Sequence, residues 1–229
     1  SLKMYLTYMN YILKIIIIIL INLGLFASNT KAGSFSITRI QYSGGGDWYS
    51  DPSSIPNLLK FVSRNTNIKI NENETRAKIG SDEFYNSYFL YLTGHGNIKL
   101  SDKEAQELRN FLLNGGFLHA DDNYGMDDSF RREMKKVFPD KEWVELPRTH
   151  PIFNIYYTFK NGLPKIHEHD NKRPQALALY HKEKIIAVYT YETDLGDGWE
   201  DQSVHGNKEE KRLEALKMGT NIIFYSLTR

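Results

Sequence analysis

The stretch YFLYLTGHGNIKLSDKEAQELRNFLLNGGFLHA, Tyr88 to Ala120, decides the fold. Tyr88 to Thr93 is a continuous apolar and aromatic run closed by Gly94-His95-Gly96, the pattern of a central strand buried on both faces. Ser101 and Glu104 then form a capping box in which each side chain satisfies an amide that the helix start leaves orphaned. Ala105, Leu108, Phe111 and Leu112 follow on one helical face, and Gly115 ends the helix. Gly116 to Ala120 makes the next strand, and Asp121-Asp122-Asn123-Tyr124-Gly125 leaves it as a loop. Strand, helix and strand at this spacing make a parallel crossover unit.

Outward from that unit the alternation continues. Phe35 to Tyr42 is expected to form a first strand ending in the turn Ser43-Gly44-Gly45-Gly46. Asp51 is expected to cap a helix with Pro52 in its first turn and Ile55, Leu58, Leu59 and Val62 at helical spacing. Downstream, Ile155 to Lys160, Ala176 to Tyr180 and Ile185 to Tyr191 are expected as strands and Lys208 to Ser226 as a closing helix. The expected fold class is α/β: a three-layer sandwich whose central sheet is mostly parallel, with some antiparallel strands added late. No internal repeat and no low-complexity tract recurs, so residues 33–229 are expected as one domain.

Before them stand Lys3 and Lys14, the aliphatic run Ile15 to Ile21, and small residues at Thr30 and Ala32. A charged start, a short apolar run and small residues mark residues 1–32 as a secretory signal peptide, with an uncleaved anchor as the alternative. The protein is therefore expected outside the cytoplasmic membrane, in the periplasm or cell envelope, touching membrane only through that segment if it is retained. The 29 basic and 28 acidic side chains nearly cancel, leaving no field to gather phosphate backbones, so nucleic acid is not an expected partner. Cysteine is absent, which removes thiolate metal sites and a cysteine nucleophile.

In open α/β sheets ligands bind beyond the carboxyl ends of the strands. Three loops should meet there, carrying Gly44 to Trp48, Thr93 to Gly96 and His119 to Gly125. That places His95, Asp121 and Asp122 together as candidate catalytic residues, flanked by Asp47 and Trp48. The Gly44 to Gly46 turn lacks the endings of nucleotide-binding loops. Two further segments bear chemistry: Lys165 to Asp170, and Asp194 to Asp201 leading to His205. In an extended segment His167 and His169 project to one face, the start of a metal site. Hydrogen bonding between loops is the plainer role for all these polar groups. Asp47, Trp48, Tyr124, Asp197, Trp199 and Glu200 are the candidate ligand-binding residues, the aromatics serving either as packing or as stacking platforms.

Taken together, Gly45 to Tyr49, Asp51-Pro52-Ser53, Tyr91 to Gly96, Gly115 to Leu118 with Asp121-Asp122, His150 to Phe153, Gly162 to His169 and Gly196 to Asp201 resemble the bacterial domain-of-unknown-function family 4159. The resemblance implies membership of the class I glutamine amidotransferase-like superfamily and a flavodoxin-like sandwich. Glutaminases of that superfamily place a cysteine after the strand that here begins at Gly116. This chain reads His119-Ala120-Asp121-Asp122 there, so glutamine hydrolysis is not implied. A similarity to trehalose-utilisation-type relatives makes a saccharide-related role an analogy.

Three functional readings follow. The first is a ligand-binding domain for saccharide or cell-wall fragments, with its pocket around Asp47, His95, Asp121 and Asp122. The second is a metal-assisted hydrolase in which His95, His167, His169 and Asp121 or Asp122 hold a divalent cation. The third is an interaction protein of the cell envelope.

Overall fold

Side chains alternate across the central strands and split the body Phe35–Arg229 into two cores, one on each face of a sheet. The computed structural model describes residues 33–229 apart from Glu168 and Asp170; the segment expected to be a signal peptide, residues 1–32, lies outside the described residues. Chain order is β1 (Thr38–Ile40), α1 (Ser54–Asn65), β2 (Thr75–Ala77), α2 (Asp82–Tyr85), β3 (Phe89–Leu92), α3 (Asp102–Leu113), β4 (Phe117–Asp121), α4 (Asp127–Val137), β5 (Val144–Glu145), β6 (Gln175–His181), β7 (Lys184–Tyr191), α5 (Leu195–Trp199), α6 (Gln202–His205) and α7 (Glu209–Thr228).

The sheet runs β2-β1-β3-β4-β7-β6-β5. Its first five strands are parallel, while β6 runs antiparallel to β7 and β5 antiparallel to β6. This is the flavodoxin-like sandwich, with its antiparallel strands at one edge. Because β1 lies between β2 and β3, the order reverses there, and the loops leaving β1 and β3 part at the carboxyl ends to open a crevice. Leu90, Leu92, Leu118 and Ala120 pack under α3 and α4, against Ala105, Leu108, Phe130 and Met134. Phe89, Tyr91, Phe117 and Val188 face the other way, toward Leu58 and Val62 of α1 and Met218 and Ile222 of α7.

The capping box forms: the Glu104 amide donates to Ser101 Oγ at 3.2 Å and the Ser101 amide to Glu104 Oε2 at 2.8 Å. Two expectations are corrected. Ile155 to Lys160 is not a strand, because the Asn221 side chain on α7 does what a neighbouring strand would do. Its Oδ1 accepts the Tyr157 amide at 2.8 Å and its Nδ2 donates to the Tyr157 carbonyl at 2.7 Å. Nor does the Asp51 side chain cap α1. Asp51 offers its carbonyl to the Ser54 amide at 3.1 Å, and the start of the helix is tied down instead by Glu200, which accepts the Ser53 amide at 2.8 Å and the Ser53 hydroxyl at 2.9 Å. The first strand is shorter than expected, and β2, α2, α4 and β5 enter without a sequence expectation. Among the described residues no helix is long and apolar enough to cross a membrane.

One buried cation sets the crevice wall. Arg39 of β1 has no exposed side-chain surface. Its Nε meets Glu74 Oε2 at 3.1 Å, Nη1 donates to the Ser50 carbonyl at 2.7 Å, and Nη2 donates to the Asp51 carbonyl at 3.1 Å. The guanidinium also lies over the Tyr91 ring, 5.6 Å from its centroid. The loop carrying Asp51 is thus fastened to the sheet from below. Arg39→Met leaves Glu74 with Arg76 as its remaining cation, strips the Ser50 and Asp51 carbonyls of their donor, and should cost roughly 3–5 kcal/mol of unfolding free energy in urea titrations. A loss below about 1 kcal/mol would show that the loop is held by other contacts.

Candidate functional site

Four strand ends supply the site. β1 leads to Asp51, β3 to Thr93, β4 ends at Asp121-Asp122, and β7 runs on through Glu192 and Asp194 into α5. The segment holding His167 and His169 comes over the top: the Thr193 carbonyl accepts the amides of Ile166 at 3.0 Å and His167 at 3.2 Å. Asp51, Glu192 and Asp194 have φ of 54°, 57° and 58°, a left-handed conformation that non-glycine residues rarely adopt. Each costs on the order of 1–3 kcal/mol and persists because surrounding contacts enforce it. All three carry carboxylates into the crevice.

The centre is Asp197. Its Oδ2 lies 2.5 Å from His167 Nδ1 and its Oδ1 3.3 Å from His205 Nε2. His205 Nε2 also lies 3.8 Å from Asp51 Oδ1. Asp194 Oδ2 stands 3.1 Å from His169 Nε2 and 3.8 Å from His167 Nδ1. Asn207 fixes the His167 ring: its Nδ2 donates to the Asp197 carbonyl at 3.2 Å, which turns its Oδ1 toward His167 Nε2 at 3.0 Å. Nε2 therefore carries a hydrogen, and Nδ1 is the atom presented to the carboxylates. One ligand atom from each of His167, Asp197 and His205 lies within 4.8 Å of the others, and the same holds for Asp51, Asp194 and Asp197.

Crowding of buried acids dominates the electrostatics. Burial, then the neighbouring Asp197 and Glu200, push Asp51 from 3.8 up to about 8. Burial and Asp197 hold Asp194 well above the ordinary carboxyl range. Asp197 goes the other way: burial raises it, but His167 and His205 outweigh burial and keep it low. The hydrogen bond to Asp197 in turn lifts His167 to about 9.

The candidate residues from sequence divide by position. Asp121 is fully buried, and its Oδ2 accepts the Gly196 amide at 2.6 Å while Thr190 Oγ1 donates to its Oδ1. It holds the start of α5 rather than facing solvent. Asp122 accepts the Glu192 amide at 2.9 Å, and burial lifts it to about 6. His95 and Asp47 pair with each other at the exposed rim, Nδ1 to Oδ2 at 3.0 Å, and among the described residues His95 joins no cluster of metal-competent side chains.

Trp199 is completely buried, with Nε1 donating to the Ala215 carbonyl at 2.8 Å, so its ring is core and offers no stacking face. Glu200 is occupied at the start of α1. Trp48 is partly buried against one core, with Tyr49 set edge-on to it. Tyr124 is 60% exposed and approaches His169 edge-on at 5.9 Å.

From sequence Asp51 is expected as a cap, Asp194 and His205 bound a segment that bears chemistry without an individual role, and Glu192 carries none. The acidic, glycine-bearing segment from Asp194 to Asp201 was the available signal. Gly196 is required within it, because a Cβ there would lie 2.9 Å from Tyr91 Oη and 3.1 Å from Asp51 Oδ2.

A raised carboxyl has a defined sign. Asp51 contributes stability that is complete below its ordinary value of 3.8 and is lost as the pH rises to about 8, since only the unfolded chain ionises freely over that window. In chelator-treated protein, Asp51→Asn should flatten the fall in Tm between about pH 5 and pH 8 and stabilise the fold at the upper end. A variant that melts below the parent at the upper end would contradict the placement of this acid.

No curated protein shows a significant match to the chain. Residues 36–227 match the family model described as Domain of unknown function (DUF4159), and the chain belongs to that family.

Proposed function

We propose that this domain is a metal-assisted hydrolase whose divalent cation is held by His167, His205 and Asp197, with Asp51 and Asp194 beside them. The observation that carries the reading is the meeting of two imidazoles with buried Asp197, their ligand atoms within 4.8 Å of one another, while Asp197 also belongs to an equally close group with buried Asp51 and Asp194. Such a group needs protons or a cation to be buried at all. A mixed imidazole and carboxylate set suits a first-row ion such as zinc or manganese. The cation would supply Lewis acidity and a water of lowered pKa. Around it, Asn207 orients His167 and so serves as a positioning residue. Asp51, whose Oδ1 lies 3.8 Å from His205 Nε2, would serve as the general base beside the ion.

The parallel order β2-β1-β3-β4-β7 also supports kinship with class I glutamine amidotransferase-like proteins. With His119-Ala120-Asp121 at the strand end and no cysteine in the chain, the chemistry read here is not thiol-based. The aliphatic run behind Lys3 and Lys14 supports a place outside the cytoplasmic membrane. A second reading, a saccharide-binding domain without catalysis, is favoured by one observation: the exposed Tyr124 ring beside a cavity of about 160 Å³. A saccharide titration that shifts Tm equally in metal-free and metal-loaded protein would support it.

Metal analysis of the full, untagged chain tests the first reading. At least one equivalent of zinc or manganese is expected after loading and desalting. Asp197→Asn should abolish retention, and Asn207→Ala should weaken affinity roughly 10–100-fold. A parent that retains no metal, or an Asp197→Asn protein that retains it fully, overturns the proposal.

A further inference from the structure

We infer that the crevice holds a second divalent cation at Asp122, His169 and Glu192, with Asp194 shared between the two ions. The inference rests on the hydrolase reading above and extends it to a binuclear centre. One ligand atom from each of Asp122, His169 and Glu192 lies within 4.8 Å of the other two, as in the first group. The three come from separate places in the chain: Asp122 from the end of β4, Glu192 from the end of β7, and His169 from the segment that crosses above them. Asp122 is 3% exposed and Glu192 1%, so this is no solvated acidic face.

A cavity of about 160 Å³ opens against the same three side chains, bounded also by Tyr124, Gly125 and Lys172. It gives an ion, and then a substrate, a way in. The link to the first group is direct. His169 Nε2 lies 3.1 Å from Asp194 Oδ2, and Asp194 belongs with Asp51 and Asp197 in the neighbouring set. Glu192 and Asp194 flank Thr193 in left-handed conformation, so a single strained turn serves both groups. Lys165 Nζ meets Glu192 Oε2 at 2.7 Å and answers one of the negative charges gathered by Asp122, Glu192 and Asp194. Paired ions that share a carboxylate clamp both the attacking and the leaving oxygen of a hydrolysed bond, which one ion cannot do.

Manganese provides the test, because it reports on both count and proximity. The full chain, stripped with chelator and loaded with Mn(II), should bind two equivalents by mass spectrometry and show the exchange-coupled electron paramagnetic resonance signal of a pair. Asp122→Asn should retain one equivalent with the signal of an isolated ion, and His205→Ala should lower the first site instead. One equivalent in the parent, uncoupled and unchanged by Asp122→Asn but lost with His205→Ala, overturns the second site and leaves the hydrolase reading standing. No bound metal overturns both. Should Asp122→Asn fail to fold, the parent's resonance signal decides alone: an uncoupled ion refutes the pair.

Discussion

The arrangement hangs on a carboxylate that never meets solvent. Asp121 ends the central strand β4, and its oxygens accept the Gly196 amide, the Thr190 hydroxyl and, at 3.4 Å, the Tyr91 hydroxyl. These partners lie on α5, β7 and β3. One buried acceptor therefore sets the distance between three strand ends and the short helix that carries Asp197. Behind it, His119 Nε2 lies 2.9 Å from Thr190 Oγ1. Since that hydroxyl is turned toward Asp121, the histidine must donate, and burial holds its ring neutral by lowering it to about 3. Burial and the neighbouring Asp194 push the Asp121 carboxyl well above its ordinary range, and a buried polar group left unmet here would cost its desolvation, so the network tolerates little slack.

The walls are tied from opposite sides by charges with different roles. Arg39 fixes the Asp51 loop from within the sheet, while Glu200 fixes the start of α1 by accepting both the amide and the hydroxyl of Ser53. Arg212 Nη2 in turn donates to the Glu200 carbonyl at 2.9 Å. The loop from Asp51 to Ser54 is thus held at both ends, which lets Asp51 keep a left-handed backbone and direct its carboxylate into the crevice. Rigidity comes from buried polar contacts, and the apolar cores supply the cohesion that makes burying them affordable.

The sheet was legible because its signals are local. A continuous apolar run, a capping box and two terminal glycines fix the β3-α3-β4 crossover, and the remaining order follows from topology. Short elements such as β2 and β5 carry too few residues for any periodicity, and α4 shows only Phe130, Met134 and Val137 among charged neighbours. The candidate site was half legible. Histidines 167 and 169 and the acidic loop stood out by composition. Asp51 did not, because an aspartate before a proline and a helix has a sufficient local reading as a cap. Its rotation into the crevice is caused by Arg39 and Glu200, both distant in sequence. Trp199 misled for the complementary reason: a tryptophan between a glycine and an acidic pair in a polar loop looks exposed, whereas Gly219 of α7 leaves the space its buried ring fills.

Buried acids can be neutralised by protons or by a shared cation, and this geometry permits either. With protons alone, Asp51 near 8 stays a neutral acid through the physiological range, and His167 near 9 stays charged against Asp197. His167 Nδ1 is then engaged as a donor. A cation entering the same space needs that nitrogen bare and the carboxylates ionised, so binding must expel protons and grow stronger as the pH rises. The two states use the same side chains and exclude each other. The oddities of the crevice, from its left-handed carboxylates to its opposed pKa values, then have one common cause: the fold has concentrated carboxyl groups at the strand ends, where His167, His205 and Lys165 answer only part of their charge.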